Sequence, residues 1–328
     1  MPALTLAPNL AQKFREEIGG ATSVLIGTHM NPDGDALGSA LAMSHYLTNE
    51  GIQNEVLCHH PAPAYLQFLP GVNRVRQAPQ RGGHDLGIAL DLDALSRLGA
   101  METYFASLPR LVLIDHHVPI EAPGDLRIVE TGAPATALIL AKLFFELGAT
   151  ITPAMATCLL TGIVTDTGSF RFRNTNADAL HVAAQLLELG GDINQVSEEV
   201  FQSKRISSAR LLGVLLENMV LLDNERIAYG WLDLETFEKF DAKDEDTEGF
   251  VNELLAIETV QVAAILKQPK IGKIRISLRS RKGYDVAAVA QLFEGGGHRN
   301  AAGCVIEADM DTAIELLIPR LRECLESS

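Results

Sequence analysis

The sequence is poor in cysteine, in aromatic residues, in positive charge and in long apolar runs. None of its four cysteines (Cys58, Cys158, Cys304 and Cys324) forms a Cys-x-x-Cys pair. This pattern is typical of reduced thiols and argues against a disulfide framework. The most apolar stretch, residues 133–147, contains a lysine and a glutamate, so no membrane-spanning helix is predicted.

The shortage of positive charge limits the partners that the protein can bind. There are 27 Lys and Arg residues against 42 Asp and Glu residues, a formal net charge of −15. Such a balance argues against broad electrostatic adhesion to nucleic acid or to anionic membranes, but it leaves room for a local basic site or a metal-neutralised one. Aromatic residues make up only 5% of the chain, and no separate stacking domain is visible, so long single-stranded DNA is a disfavoured substrate. Because no basic segment followed by an apolar core opens the chain, we expect a cytoplasmic protein.

The 328 residues are enough for two domains, and the first part of the chain alternates strand and helix patterns. Short β-branched or Leu-rich runs alternate with helical patterns in this part; the runs are residues 23–27, 55–58, 86–90 and 111–114, and the helical patterns are residues 36–50 and 135–147. This order predicts a mostly parallel sheet covered by helices. Thr152 and Pro153 are a suitable N-cap and first residue for a further helix, and helical periodicity returns at residues 177–189 and 193–216.

Acidic and imidazole side chains follow three of these predicted strands at the point where each strand ends. They are His29, Asp33 and Asp35 after the first strand, Asp91 after the third, and Asp115, His116 and His117 after the fourth. Ligands of parallel sheets bind beyond the carboxyl ends of the strands, so we expect these side chains to converge on a metal site. Histidine and aspartate without thiolates suit an ion such as Mn²⁺ better than a structural zinc. For the first stretch, a solvated turn rich in aspartate is the alternative.

A further carboxylate, Asp166, is predicted at the end of the helix that begins at Thr152. An acid at a helix C-terminus is unfavourable for the helix dipole, which favours a functional role for Asp166. An aspartate that only stabilises a turn is the alternative.

The C-terminal part of the chain has its own pattern of turns and charge. Asp223-Asn224 predicts a hairpin turn, residues 259–266 and 273–278 predict strands, and Asp285 predicts the N-cap of a helix that reaches residue 293. Residues 233–258 carry a formal charge of −8 and residues 267–303 a formal charge of +6. The basic part contains Gly295-Gly296-Gly297-His298-Arg299, in which backbone N–H groups can hold an anion; an ordinary surface turn is the alternative.

These motifs together resemble the DHH phosphoesterase superfamily. The N-terminal motifs that carry the resemblance are His29-x-Asn31-Pro32-Asp33-x-Asp35, Asp91, Asp115-His116-His117 and Gly162-x-x-Thr165-Asp166-Thr167-Gly168. Two C-terminal motifs resemble the DHHA1 domain; they are Ser277-Leu278-Arg279-Ser280 and Gly295-Gly296-Gly297-His298-Arg299-Asn300-Ala301-Ala302-Gly303. At this length the pair is most similar to the bacterial nanoRNase and pAp phosphatase group. One departure is Val118-Pro119-Ile120, where the group often has a polar continuation; it leaves the fine substrate preference open.

The resemblance implies an α/β protein of two domains. A mostly parallel-sheet DHH domain that binds metal is expected at residues 1–189, a helical linker at residues 190–210, and a smaller α/β DHHA1 domain that binds substrate at residues 211–328, with a cleft between the two domains.

The resemblance also implies a centre of two divalent ions, Mn²⁺ by preference or Mg²⁺. The implied ligands are His29, Asp33 and Asp91 for one ion, and Asp35, Asp91, His116 and Asp166 for the other. A water shared by the two ions would become a hydroxide and attack phosphorus. Asp91, as the bridge, and His117 are the implied catalytic residues; His117 would stabilise charge, with general acid catalysis as the second interpretation. The implied substrate contacts are His117, Arg279, Gly296, Gly297 and His298.

The function implied is hydrolysis of short oligoribonucleotides to mononucleotides and of 3′-phosphoadenosine 5′-phosphate (pAp) to AMP. A phosphodiesterase for linear or cyclic dinucleotides is the alternative within the fold. From another class, a non-catalytic nucleotide-binding sensor is disfavoured because all six candidate ligands are present. No membrane partner is expected, and a homodimer is one assembly that the resemblance allows.

Overall fold

The computed structural model describes residues 6–120 and 123–326. The chain divides into two compact units, Met1–Ser203 (unit 1) and Lys204–Ser328 (unit 2). Within the described ranges, no helix is both long and apolar enough to cross a membrane.

Unit 1 contains a six-stranded sheet in the order β3-β2-β1-β4-β5-β6, in which all neighbouring strands are parallel. The strands are β1 (Ser23–Thr28), β2 (Gln53–Leu57), β3 (Val75–Arg76), β4 (Leu86–Leu90), β5 (Leu111–Asp115) and β6 (Leu126–Val129). The α-helices are α1 (Leu10–Gly19), α2 (Gly34–Asn49), α3 (Glu102–Ala106), α4 (Thr136–Leu147), α5 (Pro153–Asp166), α6 (Ala177–Glu188) and α7 (Ile193–Ser197). The mostly parallel α/β architecture predicted from the sequence is confirmed.

The strand order places a topological switch point between β1 and β4. The chain adds β2 and β3 on one side of β1 and then crosses over to add β4, β5 and β6 on the other side. Strands β4 and β5 are fully buried, and β1 is buried from its second residue onward, in keeping with their continuous apolar sequences. In sheets of this kind the crevice beyond the carboxyl ends of the strands at the switch point is where ligands bind.

Local signals account for several helix boundaries. The Thr152 hydroxyl accepts a hydrogen bond from the Met155 N–H at 3.3 Å at the start of α5, as its position before Pro153 predicts. Gly148 ends α4 in the left-handed conformation, where glycine has no steric penalty.

The continuous helix expected over residues 193–216 is wrong. Helix α7 passes into a π-helical turn, Glu198–Gln202, and α8 (Ile206–Glu217) begins only after an extended residue, Arg205. The Arg205 guanidinium donates to the Asp246 carboxylate at 3.0 Å. A tertiary ion pair therefore holds Arg205 out of the helix that the local periodicity favours.

Unit 2 contains a mixed six-stranded sheet in the order β11-β12-β10-β9-β8-β7. Its strands are β7 (Val220–Leu222), β8 (Ile227–Leu232), β9 (Val262–Lys270), β10 (Lys273–Ser280), β11 (Gly296–His298) and β12 (Ala301–Ile306). Its helices after α8 are α9 (Leu234–Lys239), α10 (Phe250–Leu255), α11 (Val286–Gln291) and α12 (Met310–Glu326). The hairpin at Asp223-Asn224 and the Asp285 N-cap are confirmed, whereas β11, β12 and α12 are additions to the predicted elements.

Candidate active site

The polar side chains after β1, β4 and β5 meet at one edge of the unit 1 sheet. Asp91 follows β4 directly, is only 2% exposed, and adopts a left-handed backbone conformation with φ 60°. Its N–H donates to the Ile114 carbonyl oxygen of β5 at 3.1 Å. A non-glycine residue in this conformation is uncommon and is often found at a functional site.

One group of potential ligand atoms lies around His29. Its Nε2 is 3.4 Å from Asp91 Oδ2 and 3.8 Å from Asp33 Oδ2. The other oxygen of Asp33 accepts from the Asp35 and Ala36 N–H groups and caps α2. Asp33 therefore uses one oxygen to fix the helix start and presents the other to His29.

A second group lies on the opposite oxygen of Asp91. His116 Nε2 is 3.5 Å from Asp91 Oδ1 and 3.4 Å from Asp166 Oδ2. Ligand atoms of Asp35, Asp91 and His116 all lie within 4.8 Å of one another. The two groups share Asp91, with one carboxylate oxygen facing each group.

Backbone carbonyl groups hold both imidazole rings in the orientation that a ligand needs. His29 Nδ1 is 2.9 Å from the Met30 carbonyl oxygen, and His116 Nδ1 is 3.2 Å from the Ala133 carbonyl oxygen. If each Nδ1 donates its proton to that carbonyl, Nε2 is left to bind an ion. In both rings it is Nε2 that faces the carboxylates.

The N-terminus of α4 holds Asp35. The Thr136 and Ala137 N–H groups donate to the two Asp35 oxygens at 2.6 and 2.9 Å, and the Thr136 hydroxyl donates to Asp91 Oδ1 at 3.0 Å. Gly162 on α5 also packs against Asp35, since an added Cβ there would lie 2.4 Å from Asp35 Oδ1. Residues far apart in sequence thus fix the positions of two of the central carboxylates.

The electrostatics of this pocket favour bound cations. Burial raises the pKa of Asp35 and of Asp166 well above the ordinary range, and the charges of the neighbouring carboxylates raise it further. Burial also acts to raise the pKa of Asp91, but contact with His29 and the charges of nearby histidines hold it below its ordinary value. Burial acts to lower the pKa of His29, yet Asp91 and Asp33 raise it to about 9. Protons on these groups therefore offset the negative charge of the clustered carboxylates, and a bound cation would offset it in the same way.

The donor set fits divalent metal ions. The N···O separations of 3.4–3.8 Å exceed those of ordinary hydrogen bonds. Two ligands of one octahedral ion, each at about 2.1 Å from it, lie about 3 Å apart when adjacent and about 4.2 Å apart when opposite. Oxygen and imidazole ligands suit Mn²⁺ or Mg²⁺ in preference to ions that select thiolates.

His117 lies beside this pocket and is held by the aspartate two residues before it. His117 Nδ1 donates to Asp115 Oδ1 at 2.7 Å, and the same nitrogen is 3.7 Å from Asp91 Oδ1. Burial acts to lower the pKa of His117, but Asp115 and Asp91 outweigh it and raise the pKa to about 9. The two carboxylates therefore favour the protonated form of the His117 ring.

Two of the predicted substrate residues of unit 2, Arg279 and His298, lie in one row across three strands. Arg279 on β10 and His298 on β11 each pair with Ala301 on β12, one from either side. Directly opposed residues of antiparallel strands point to the same face of a sheet, so the two cationic or polar side chains share a face. Gly297 has φ 139°, and an added Cβ would lie 2.4 Å from the Ala301 carbonyl oxygen, so the backbone at this edge requires glycine.

Three features of the site were not predicted from the sequence. Asp115 is predicted to lie at this edge of the sheet, but its contact with the ring of His117 is not. Thr136 lies within the helix predicted over residues 135–147, and its hydroxyl donates to Asp91, 45 positions away in the sequence. The third feature is the loop after Asp166, which carries Arg171 and Arg173.

Comparison with known proteins agrees with this geometry. Residues 23–163 match the DHH family, N-terminal domain, and residues 224–327 match the DHHA1 domain. A Thermus thermophilus protein named "Bifunctional oligoribonuclease and PAP phosphatase NrnA" is 33% identical over 305 residues, which cover 92% of this chain and 89% of that protein. A Bacillus subtilis protein of the same name is 26% identical over 287 residues, covering 87% of this chain and 89% of the relative.

A solved structure has the same fold over nearly the whole chain. It is an exopolyphosphatase-related protein from Bacteroides fragilis, which superposes with a TM-score of 0.90 at 28% identity. The match covers 97% of each chain.

Proposed function

We propose, from the premise that this chain belongs to the DHH phosphoesterase family and is an enzyme, that it hydrolyses short oligoribonucleotides to mononucleotides and pAp to AMP. These are the two activities in the printed names of its relatives from T. thermophilus and B. subtilis. The observation that carries the proposal is the position of Asp91 between two groups of ligand atoms at the switch point of a parallel sheet.

We assign the metal ligands to these two groups. His29, Asp33 and Asp91 would hold one ion; Asp35, Asp91, His116 and Asp166 would hold the other. When bound, divalent ions such as Mn²⁺ lower the pKa of water and offset the negative charge that develops on a phosphate undergoing in-line displacement. The donor set supports Mn²⁺ or Mg²⁺ equally, and Mn²⁺ remains our prediction.

His117 has the position and charge to bind the scissile phosphate. Its Nδ1 donates to Asp115, and we assign the other ring nitrogen, as Nε2–H, to a phosphate oxygen. A charged donor that is already oriented stabilises developing negative charge without reorganisation. We therefore assign His117 to charge stabilisation, with proton donation to the leaving oxygen as its second role.

The row formed by Arg279 and His298 is proposed to bind a phosphate or the nucleotide backbone. The N–H groups of Gly296 and Gly297 lie on the same short strand as His298 and are further candidate donors to an anion. Arg279 is half-buried, and burial lowers its pKa although the charge of Glu248 opposes this. A guanidinium in such surroundings gains more from an incoming phosphate than an exposed one would.

The net charge of the chain supports short substrates. A protein that binds long RNA needs many spread cationic contacts, whereas here the formal charge is −15 and the basic residues concentrate in one segment. We therefore expect kcat/KM to be highest for pAp and for RNA of two to four nucleotides. A cytoplasmic location and a homodimer remain predictions.

The decisive experiment is a substrate panel with the purified full chain and Mn²⁺. The panel contains pAp, RNA of increasing length from two to 24 nucleotides, and linear and cyclic dinucleotides. Release of AMP from pAp together with a fall of kcat/KM with RNA length supports the proposal. Faster cleavage of 24-mers than of dimers would contradict it, and exclusive turnover of cyclic dinucleotides would favour the phosphodiesterase alternative.

A further inference from the structure

The loop of residues 167–175 follows Asp166 directly and lies entirely in unit 1. The Asn174 side-chain amide donates to the Asp166 carbonyl oxygen at 2.9 Å and to the Pro134 carbonyl oxygen at 3.3 Å. Pro134 adjoins Ala133, whose carbonyl oxygen is the contact of His116 Nδ1. The loop therefore leaves the candidate metal centre at Asp166 and returns to it at Asn174.

Hydrogen bonds within this loop give it a defined shape. The Phe172 N–H donates to the Thr167 carbonyl oxygen at 2.9 Å, and the Phe170 N–H donates to the Thr167 hydroxyl at 3.1 Å. Gly168 has φ 54°, and an added Cβ there would lie 2.4 Å from the Phe172 ring. The Phe172 ring thus packs against the backbone of Gly168, while 42% of the residue stays exposed.

Two arginines flank this exposed ring. Arg171 uses Nε to donate to the Gly168 carbonyl oxygen at 2.8 Å, which leaves its terminal nitrogens without a partner among the described residues. The Arg173 side chain is exposed and makes no hydrogen bond or ion pair within residues 6–120 and 123–326. Arg173 adjoins Asn174 in sequence, so their Cα atoms lie about 3.8 Å apart, and Asn174 in turn contacts the Asp166 carbonyl oxygen.

Unpaired arginines beside an acidic centre need an explanation. Acidic residues outnumber basic ones by 42 to 27 in this chain, and Asp166 directly precedes this loop. Guanidinium groups bind carboxylates and phosphates in the same planar manner. Arginines that form no ion pair within the described residues are available for an anion that arrives from outside.

We propose that Arg171, Phe172 and Arg173 form a nucleotide subsite in unit 1, distinct from the unit 2 residues assigned above. The guanidinium groups would bind a phosphate of the substrate that is not being cleaved, and the exposed part of Phe172 would stack on a base. An aromatic ring between cationic side chains is the usual combination for single-stranded nucleotides. This subsite rests on the proposed function for its substrate, and it makes unit 1 itself selective for nucleotides.

The test compares three variants of the full chain with wild type on two matched compounds. The variants are Arg173→Gln, Phe172→Leu and the control Arg81→Gln. Arg81 is an exposed arginine whose side chain contacts Gln53 at the start of β2. It therefore lies at the amino ends of the strands, away from the candidate site at their carboxyl ends. The compounds are pAp and its counterpart with hydrogen in place of the base. KM and kcat are measured for each pair, and melting temperatures confirm folding.

The subsite predicts a different pattern for each variant. Arg173→Gln raises KM by about tenfold or more on both compounds, since both keep the phosphates, with little change in kcat. Phe172→Leu raises KM about fivefold or more on pAp and leaves KM for the base-free compound unchanged. Arg81→Gln matches wild type on both.

Other outcomes overturn the subsite without ambiguity. If wild type turns over pAp while Arg173→Gln and Phe172→Leu stay within twofold of it, the loop does not bind nucleotide. If Phe172→Leu raises KM equally for both compounds, the ring has only a structural role. If wild type hydrolyses neither compound, the proposed function fails, and titration calorimetry of the same two compounds then decides the subsite, with the same pattern expected in Kd and unchanged Kd values refuting it.

Discussion

The two units of this chain collect polar residues by different means. In unit 1, parallel strands end at one edge of the sheet, and residues more than 100 positions apart become neighbours there; the Asp35 carboxylate, for example, accepts from the Thr136 N–H. In unit 2, antiparallel strands place Arg279 and His298 in one row by register alone, on either side of Ala301. The first arrangement yields a buried pocket with clustered charge, and the second yields a surface row.

The difference shows in how each unit treats charge. Unit 1 clusters three aspartates, of which Asp35 and Asp91 are buried. The pKa values of the three are strongly perturbed in both directions, a state that costs stability unless cations compensate it. In unit 2 the buried acid Asp246 is compensated from within the unit, because its Oδ2 accepts from Arg205, Ser207 and the Lys243 N–H. The clustered carboxylates of unit 1 therefore depend on a bound cation, whereas the buried carboxylate of unit 2 does not. The following predictions test that contrast.

The largest expected effect is the loss of turnover in Asp91→Ala. Asp91 faces both groups of ligand atoms, so we expect kcat/KM on pAp to fall on the order of 10³-fold or more. The matched control is Asp85→Ala at the other end of β4, where Asp85 accepts from Thr22 and Ser23. The control should lower the melting temperature and keep turnover. A folded Asp91→Ala protein with near-wild-type turnover would refute the shared-ligand assignment.

In unit 2, Arg279 on β10 and Arg281 just after this strand should separate function from stability. Arg279→Ala should cost about 1.5–3 kcal/mol of transition-state binding on pAp, as expected for a lost hydrogen bond to a charged group. Its effect on a minimal activated phosphodiester should be much smaller. Arg281 donates to the carbonyl oxygens of Val260, Leu255 and Ile257, so Arg281→Ala should instead lower the melting temperature. Equal losses on both substrates in Arg279→Ala would contradict its proposed role.

A single methyl group should distinguish the packing of the two units. In Gly162→Ala the new Cβ would lie 2.4 Å from Asp35 Oδ1 and 2.5 Å from Ala137 Cβ, so we expect about 1–3 kcal/mol of destabilisation and a clear loss of kcat. Gly213 on α8 has nothing within 4 Å of an added Cβ. Gly213→Ala should therefore stabilise the protein by about 0.5–1 kcal/mol and keep activity. Urea unfolding gives the stability of each variant, and kcat on pAp gives its activity. Wild-type stability and kcat in Gly162→Ala would mean that Asp35 tolerates displacement.

A further prediction concerns stability with and without metal. Saturating Mn²⁺ at 100 times its Kd should stabilise the wild type by about 2.7 kcal/mol, which is a rise of several degrees in melting temperature. Metal-free Asp166→Asn should melt no lower than metal-free wild type, because it removes one of the clustered carboxylates, but most of the rise with Mn²⁺ should be lost.

The control for this measurement is Asp178→Asn, which removes the 2.9 Å ion pair with Lys142. It should melt lower than wild type and keep the full rise with Mn²⁺. A full rise in Asp166→Asn would remove Asp166 from the ligand set. Scanning calorimetry with EDTA and with Mn²⁺ distinguishes the outcomes.

Much of the frame of unit 1 could be predicted from the sequence. The runs at residues 23–27, 86–90 and 111–114 became strands β1, β4 and β5 with ends shifted by at most one residue. Their apolar, β-branched character is a local property, and so is the capping of α2 by Asp33 and of α5 by Thr152. The DHH and DHHA1 resemblance, carried by the same short motifs, is confirmed by the family matches.

The sequence by itself determined where strands and helices form and which acidic and imidazole residues follow the strands, because these depend on neighbours within a few positions. Only the tertiary structure decided that Thr136 donates to Asp91, that Asp115 rather than a more distant group holds His117, and that Arg205 interrupts the helix predicted over residues 193–216. The Thr136 and Arg205 contacts join residues about 40 or more positions apart, and Asp115 reaches His117 only because the end of β5 turns both into the pocket. No local pattern encodes such contacts, since their free energy arises only after the chain has folded and water has been excluded.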